Sequence, residues 1–256
     1  MVAVKYSVAD RIARITLARP EALNATNREL GEGVGTSVTQ AVADPDVHVV
    51  LLDAQGRAFC AGADLKDANT HNAHDIIVHM APSRSGLDLL GGCTKPVVAA
   101  VQGYCVGAGV EMAISADVTI AAEDAIFFLP QVKLGILPGA GGVSRLVRRI
   151  GEPWAARMAL LGERIDAQTA LRIGLVTEVV ARDALETRSR EIAAVLADVP
   201  PAAVQLTKES INQSYDVPLS AGLMADKYRL FVLSGTPEKE ASHAAFRNRD
   251  AAATGS

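Results

Sequence analysis

KPVVAAVQGYCVGAGVEMAISADV, residues 95–118, decides the fold. Lys95-Pro96 opens an apolar run over 97–101, a strand of the buried type. Residues 103–109 are a glycine-rich turn, 110–115 read as a helix, and 117–121 read as a second strand. The turn has a chemical consequence. The first turn of a helix carries N–H groups without intrahelical acceptors, at the positive end of the dipole. An oxyanion placed there is stabilised without any side chain. A ligand can approach that backbone only past small residues, which Gly107, Ala108 and Gly109 supply. Residues 60–63, CAGA, offer a second loop of the same kind. Tight helix–sheet packing asks for the same small residues, so the spacing leaves both uses open.

Working outward, residues 4–17 alternate and are rich in Val and Ile, which predicts two strands with a turn near Ala9 and Asp10. Thr26 with Glu29 fits a capping box, and Leu30, Val34, Val38 and Val42 follow at helical spacing. Residues 47–52 are of strand length, and residues 127–138 read as irregular and apolar. Residues 139–142, GAGG, lead into a helix over 143–150, and Pro153 starts another that runs to Leu161. Asp166 caps a helix that stops at Gly174, and 175–180 is a last strand. Beyond Pro200 the pattern changes to helices over 202–212, 219–233 and 237–246, with Thr236-Pro237 as the start of the third. We therefore expect an α/β core over residues 1–200 and a helical segment over 201–256.

Composition bounds the function. Of 256 residues, 49% are hydrophobic and only 4% aromatic, so Val, Ile, Leu and Ala fill the core. Basic and acidic residues number 25 and 29, with no basic stripe, which argues against a nucleic-acid partner. No apolar run reaches the roughly 18 residues of a membrane span, and no signal-peptide pattern opens the chain, so a cytoplasmic protein without a membrane partner is expected. Cys60, Cys93 and Cys105 are an odd count without a C-x-x-C pair, the mark of small buried thiols in a reducing compartment. Neither glycine-rich segment is a nucleotide loop. Gly107-Ala108-Gly109 lacks the third glycine of a dinucleotide fingerprint, and Gly139 to Gly142 is not followed by Lys-Ser or Lys-Thr. His71, His74 and His79 lack an accompanying H-E-x-x-H pattern and read as solvated, with no metal site.

Three blocks carry a resemblance: FCAGADLK (59–66), KPVVAAVQGYCVGAGVEMAISADV (95–118) and LGILPGAGGVSRL (134–146). With RPEALNA (19–25) and LLGERIDAQTALRIGLVTEVV (160–180), they are similar to the signature blocks of the crotonase superfamily, the enoyl-CoA hydratase/isomerase family. The likeness is collinear from about residue 4 to about residue 250. It implies an α/β fold, a spiral of β-β-α turns with a helical C-terminal segment that builds a homotrimer or a dimer of trimers. It also implies an acyl-CoA substrate, with coenzyme A as part of the substrate and no separate cofactor.

The same resemblance assigns residues. The two oxyanion-binding N–H groups match Ala63 and Ala108. Ala22, Leu23, Ala61, Ala63, Asp64, Leu65, Lys66, Gly107 and Ala108 match the coenzyme A groove. Lys227 and Arg247 are weaker matches to phosphate partners, and surface solvation explains each of them as well. The family's hydratases hold and activate one water with two glutamates. The first matches Glu111. The second falls at position 131, where Phe127-Phe128-Leu129-Pro130 is followed by Gln131.

A carboxamide does not titrate, but it donates and accepts hydrogen bonds, so Gln131 can position a water. General acid–base catalysis contributes about 10²–10⁴ in rate, so the missing second carboxylate bears on the reaction itself. Enoyl-CoA hydration is the leading expectation. Double-bond isomerisation needs only one shuttling base, for which Glu111 suffices. Another enolate reaction, such as decarboxylation, needs the oxyanion site first, and Asp67, Asp75, Asp88 or a histidine of 67–92 could supply an acid. A coenzyme A-binding scaffold without turnover is the reading from outside enzymology.

Overall fold

The computed structural model describes residues 2–64, 66 and 86–240. Strands β1 (Val4–Ala9) and β2 (Ile12–Leu17) pair antiparallel. Asp10 and Arg11 join them with φ of 51° and 64°. Two positive φ values in a two-residue loop are what a hairpin needs to match strand twist. Helix α1 (Arg28–Ala43) follows, but its cap differs from the expectation. Asn27 is the N-cap, and its side chain accepts from the Leu30 N–H at 2.9 Å. Thr26 is held elsewhere, in a bridge to Ala63. Leu30, Val34, Val38 and Ala41 form the buried face, whereas Val42 is exposed.

The main sheet has the order β1-β2-β3-β4-β6-β9, with β3 (Val49–Ala54), β4 (Val97–Val101), β6 (Val118–Ala122) and β9 (Glu178–Val180). Every pairing from β2 onward is parallel. Parallel strands are buried on both faces, and the side chains alternate accordingly. Val50, Leu52, Val97, Ala99 and Val101 face the larger core. Val49, Leu51, Val98, Ala100, Ile120 and Ala122 face a second cluster closed by Leu185, Ala193 and Ala197. Those three lie on the helix Leu185–Ala197, which the sequence reading did not include. Complete burial of the Val, Leu and Ile side chains among these contributes about 1.5–3 kcal/mol each.

A three-stranded sheet, β5 (Tyr104–Val106), β7 (Ile126–Phe128) and β8 (Ile165–Asp166), stands beside the first. Two stretches expected to be turn or irregular are thus partly strand. Helix α2 (Ala108–Ser115) starts two residues before the predicted position. Helix α3 (Ser144–Leu161) breaks at Gly151, with φ 74° and ψ 162°, into the two helices anticipated on either side of Pro153. Asp166 caps α4 (Ala167–Arg172) by accepting from the Thr169 N–H at 2.7 Å. Taking the helix Leu185–Ala197 as α5, the chain continues into α6 (Pro201–Gln213) and α7 (Leu219–Ser234). Residues 237–240 begin a further helix, and the rest of the predicted 237–246 lies outside the described residues.

Helix α6 is tied to the core by Lys208. Its buried Nζ donates to the Lys95 carbonyl at 2.9 Å and pairs with Asp117 at 2.7 Å. Helix α7 has no buried residue, and Leu219, Leu223, Met224, Tyr228, Leu230, Phe231 and Val232 are all at least half exposed.

Candidate active site

Strand β5 delivers the chain to Gly107, which enters α2 with φ 52° and ψ −111°. That backbone favours glycine. Ala108 is the first helical residue, so its N–H lies beyond the intrahelical ladder. Among the described residues that N–H has no hydrogen-bond acceptor.

The loop 60–64 runs alongside. The Cys60 N–H donates to the Tyr104 carbonyl at 3.0 Å, and the Val106 N–H donates to the Cys60 carbonyl at 2.8 Å. The contact is backbone on backbone. A Cβ on Gly109 would lie 2.7 Å from the Cys60 oxygen, a clash that no rotamer relieves. At the other edge, the Thr26 N–H donates to the Gly62 carbonyl at 2.7 Å and the Asp64 N–H donates to the Thr26 carbonyl at 2.9 Å. This parallel bridge uses the groups flanking Ala63 and turns its own N–H away from Thr26. The Ala63 N–H, like that of Ala108, has no acceptor among the described residues.

Two side chains are candidates for the chemistry, Glu111 on α2 and Gln131 beside Gly107. Glu111 is buried, and its Oε1 accepts from the Ala140 N–H at 2.6 Å and the Gly142 N–H at 3.1 Å. Gln131 opens the 3-10 turn Gln131–Leu134 and is 9% exposed. Its carbonyl accepts from the Ile136 N–H at 3.1 Å. Its carboxamide lies against Gly107: a Cβ there would be 3.2 Å from Gln131 Nε2. Among the described residues the buried Gln131 Oε1 has no hydrogen-bond partner. A buried acceptor left unpaired costs about 1–3 kcal/mol, a cost that a water or a substrate group would remove. The structure thus brings the Gln131 carboxamide to Gly107, the residue that enters the helix carrying Glu111.

The remaining candidates spread around the loop 60–66. Leu23 and Asn24 both hold positive φ, 51° and 54°, after the 3-10 turn Pro20–Ala22. The Leu23 carbonyl accepts from the Ala61 N–H at 3.0 Å, which couples the two segments. Asn24 fixes this conformation, a residue the sequence reading passed over. Its buried side chain accepts from the Arg19 N–H and donates to the Gln55 and Ala58 carbonyls, at 2.8, 2.9 and 2.9 Å. Asn tolerates left-handed backbone better than most residues, which was the available signal. Asp64 is engaged internally. It pairs with Arg19 at 3.0 Å and accepts from the Lys66 N–H at 3.2 Å. The Arg19 guanidinium, followed by the Lys66 N–H, holds its carboxyl below the usual aspartate range. Lys66 and Lys227 are exposed, the latter on α7. Asp88 is exposed on the helical stretch 86–91. Leu65, Asp67, His71, His74, Asp75, His79 and Arg247 lie outside the described residues.

Burial pushes the Cys60 and Cys105 thiols up, and the charge on Glu111 adds to the effect at Cys60. Neither is a thiolate nucleophile near neutral pH. Among the described residues, no helix is long and apolar enough to cross a membrane.

The profile of the family described as enoyl-CoA hydratase/isomerase matches residues 8–251. The chain belongs to the enoyl-CoA hydratase/isomerase family. It is similar to the probable enoyl-CoA hydratase echA8 of Mycobacterium tuberculosis, at 36% identity over 92% of this chain and 91% of that protein. It is also similar to the 2,3-dehydroadipyl-CoA hydratase of Escherichia coli, at 37% identity over 92% of each. A crystal structure of the enoyl-CoA hydratase from Bacillus anthracis superposes with a TM-score of 0.92, at 33% identity over 96% of each chain. The mixed α/β architecture with its parallel sheet is therefore the fold of this family.

Proposed function

We propose that the protein hydrates a trans-2-enoyl thioester of coenzyme A, with Ala63 and Ala108 as the oxyanion donors and Glu111 as the proton carrier. The observation that carries this reading is the pair of backbone N–H groups without described acceptors, on adjoining loops beside two buried side chains that can hold a water. Donors aimed at developing charge are commonly the largest single contribution to such catalysis. Water adds across the double bond. Glu111 takes one water proton as the hydroxyl oxygen bonds to the β-carbon, and the π electrons move onto the thioester oxygen. The enolate then collapses as its α-carbon takes the proton back from Glu111. Gln131 holds the water through its Oε1, which has no partner among the described residues, and titrates nothing.

The groove for coenzyme A would run past Ala22, Leu23 and residues 61–66, coupled by the Leu23–Ala61 hydrogen bond. In this reading coenzyme A arrives as part of the substrate and no separate cofactor is used. The exposed apolar surface of α7 supports self-association, since patches of that kind mark interfaces, and we read the assembly as a homotrimer or a dimer of trimers. The three free cysteines favour a cytoplasmic setting. A second reading, double-bond isomerisation, is favoured by the neutrality of Gln131, because one base suffices to move a proton from the α- to the γ-carbon.

The deciding experiment follows loss of the conjugated-thioester absorbance of a short trans-2-enoyl-CoA, with Glu111→Gln as control. Rapid loss in the parent alone supports hydration. No loss rejects it for that substrate, and conversion of the 3-enoyl thioester would then select isomerisation. Binding of coenzyme A with neither conversion would leave the scaffold reading.

A further inference from the structure

Arg145, on the first turn of α3, occupies the gap between two glycines. A Cβ on Gly91 would lie 2.2 Å from its Nη2, and one on Gly141 would lie 2.5 Å from its Nη1. Gly141 belongs to the loop whose amides hold Glu111, and Gly91 closes the helical stretch 86–91. The Arg145 Nη1 donates to the Ala140 carbonyl at 3.4 Å and to the Ser115 hydroxyl at 3.5 Å. Ser115 Oγ in turn donates to the Glu111 carbonyl at 2.7 Å. The two arginine bonds are long and individually weak. Their arrangement is informative, because one guanidinium spans the loop 139–142, the C-terminal turn of α2 and the end of 86–91. Both partners are neutral oxygens, so the side chain is not there to form an ion pair with them.

We propose that Arg145 is a positioning residue for Glu111. It keeps residues 139–142 against α2, so that the Ala140 and Gly142 N–H groups stay on Glu111 Oε1 and fix where that carboxylate points. This rests on the reading of Glu111 as the proton carrier. An arginine suits the task because its planar fork presents five donors in fixed directions, whereas a lysine ammonium is a single point on a flexible stem. Misplacing a catalytic group by about 1 Å can cost on the order of 10²-fold in rate.

The test compares the parent with Arg145→Lys, Arg145→Met and Glu111→Gln. One readout is kcat and KM on a trans-2-enoyl-CoA. The other is hydrogen–deuterium exchange of the Ala140 and Gly142 amides without substrate. For Arg145→Met, kcat should fall about 10- to 100-fold while KM stays within about twofold, the split expected when alignment rather than binding is lost. Arg145→Lys should recover part of kcat, and both amides should exchange faster in both variants. Parental kcat with parental exchange would overturn the proposal, as would a loss confined to KM. If Arg145→Met does not fold, Arg145→Lys carries both readouts. Parental turnover by Glu111→Gln would instead remove the underlying reading of Glu111. The exchange measurement judges the Arg145 contact whether or not the chosen thioester is turned over.

Discussion

The Gly142 N–H donates to Glu111 Oε1 at 3.1 Å, and a Cβ on Gly142 would lie 2.8 Å from that same oxygen. Position 142 therefore has room for a hydrogen bond and none for a side chain. Such a Cβ would also lie 2.5 Å from Pro138 Cβ, so some stability is lost as well. Gly142→Ala should lose about 1–3 kcal/mol in chemical denaturation, the range for an overpacked core site. Displacing the carboxylate should also lower kcat by about 10²-fold with little change in KM. Kinetics at a temperature where the variant is folded check this, and a kcat near that of the parent would contradict it.

Gln131 is where the charge of the site can be changed with least change of shape. Gln131→Glu supplies a second carboxylate within the volume already occupied. Hydration should rise, within the roughly 10²–10⁴ range of general acid–base catalysis. A second ionisation should enter the pH profile of kcat/KM, because two nearby carboxylates do not both ionise freely. Gln131→Leu should lower the rate, since it removes the acceptor that Oε1 offers to a water. A rate for Gln131→Leu equal to the parent's would mean that Gln131 does not hold the water.

Much of the backbone around this candidate site was legible in the sequence, for physical reasons that also explain the failures. The run 97–101 could be read as a buried strand because a strand covered on both faces must be apolar throughout. Gly107 could be read as a turn because its backbone suits little else. Glu111 is named by the family resemblance alone, as the match to the first of two glutamates, inside the helix after the turn. What could not be read were relationships set by distant chain. Thr26 looks like a cap as well as Asn27 does, until Ala63 claims it for a bridge. Residues 104–106 read as turn because a three-residue strand exists only through its pairing with 126–128. The helix Leu185–Ala197 carried a signal that was not used, with Leu185, Ser189, Ala193 and Ala197 four residues apart and all buried. The contact of the Glu111 carboxylate with the Ala140 and Gly142 N–H groups joins positions 29 and 31 residues apart, and because the donors are backbone amides no side-chain pattern marks it.

The pairing of Asp64 with Arg19 gives a pH signature. The folded carboxyl is held below its ordinary range, first by the Arg19 hydrogen bond. A lowered carboxylate pKa contributes stability that is fully present above the unfolded value of about 3.9 and is lost as pH falls through the folded value. Asp64→Asn removes that contribution. Its melting temperature should lie below the parent's near neutral pH, and the gap should close as pH falls below about 4. A gap that stays constant across this range would assign the difference to packing.

Phe231 is 79% exposed on α7 among other bare apolar side chains. Phe231→Arg should leave the fold intact and lower the mass found by light scattering, if that face joins copies of the chain. An unchanged mass would mean that another surface makes the assembly, or that the chain is a monomer.

Lys208 and Asp117 decide how firmly the helical segment is attached. The Lys208 ammonium is buried, with the Lys95 carbonyl and Asp117 as its partners, while Asp117 Oδ2 also accepts from the Val97 N–H at 2.7 Å. Removing one partner of a buried pair costs about 3–5 kcal/mol, because the other charge is left uncompensated. Here the cost should be smaller, since the Asp117 side chain is 31% exposed and keeps the Val97 N–H. Lys208→Met should therefore lose about 2–3 kcal/mol in urea denaturation, and Asp117→Asn with Lys208→Met should restore part of it. The loss should be local before it is global. Amides of α6 should exchange faster than those of β4, because the variant keeps the sheet and loses the anchor that holds the helix on it. Equal acceleration in β4 and α6 would show instead that the pair supports the whole sheet.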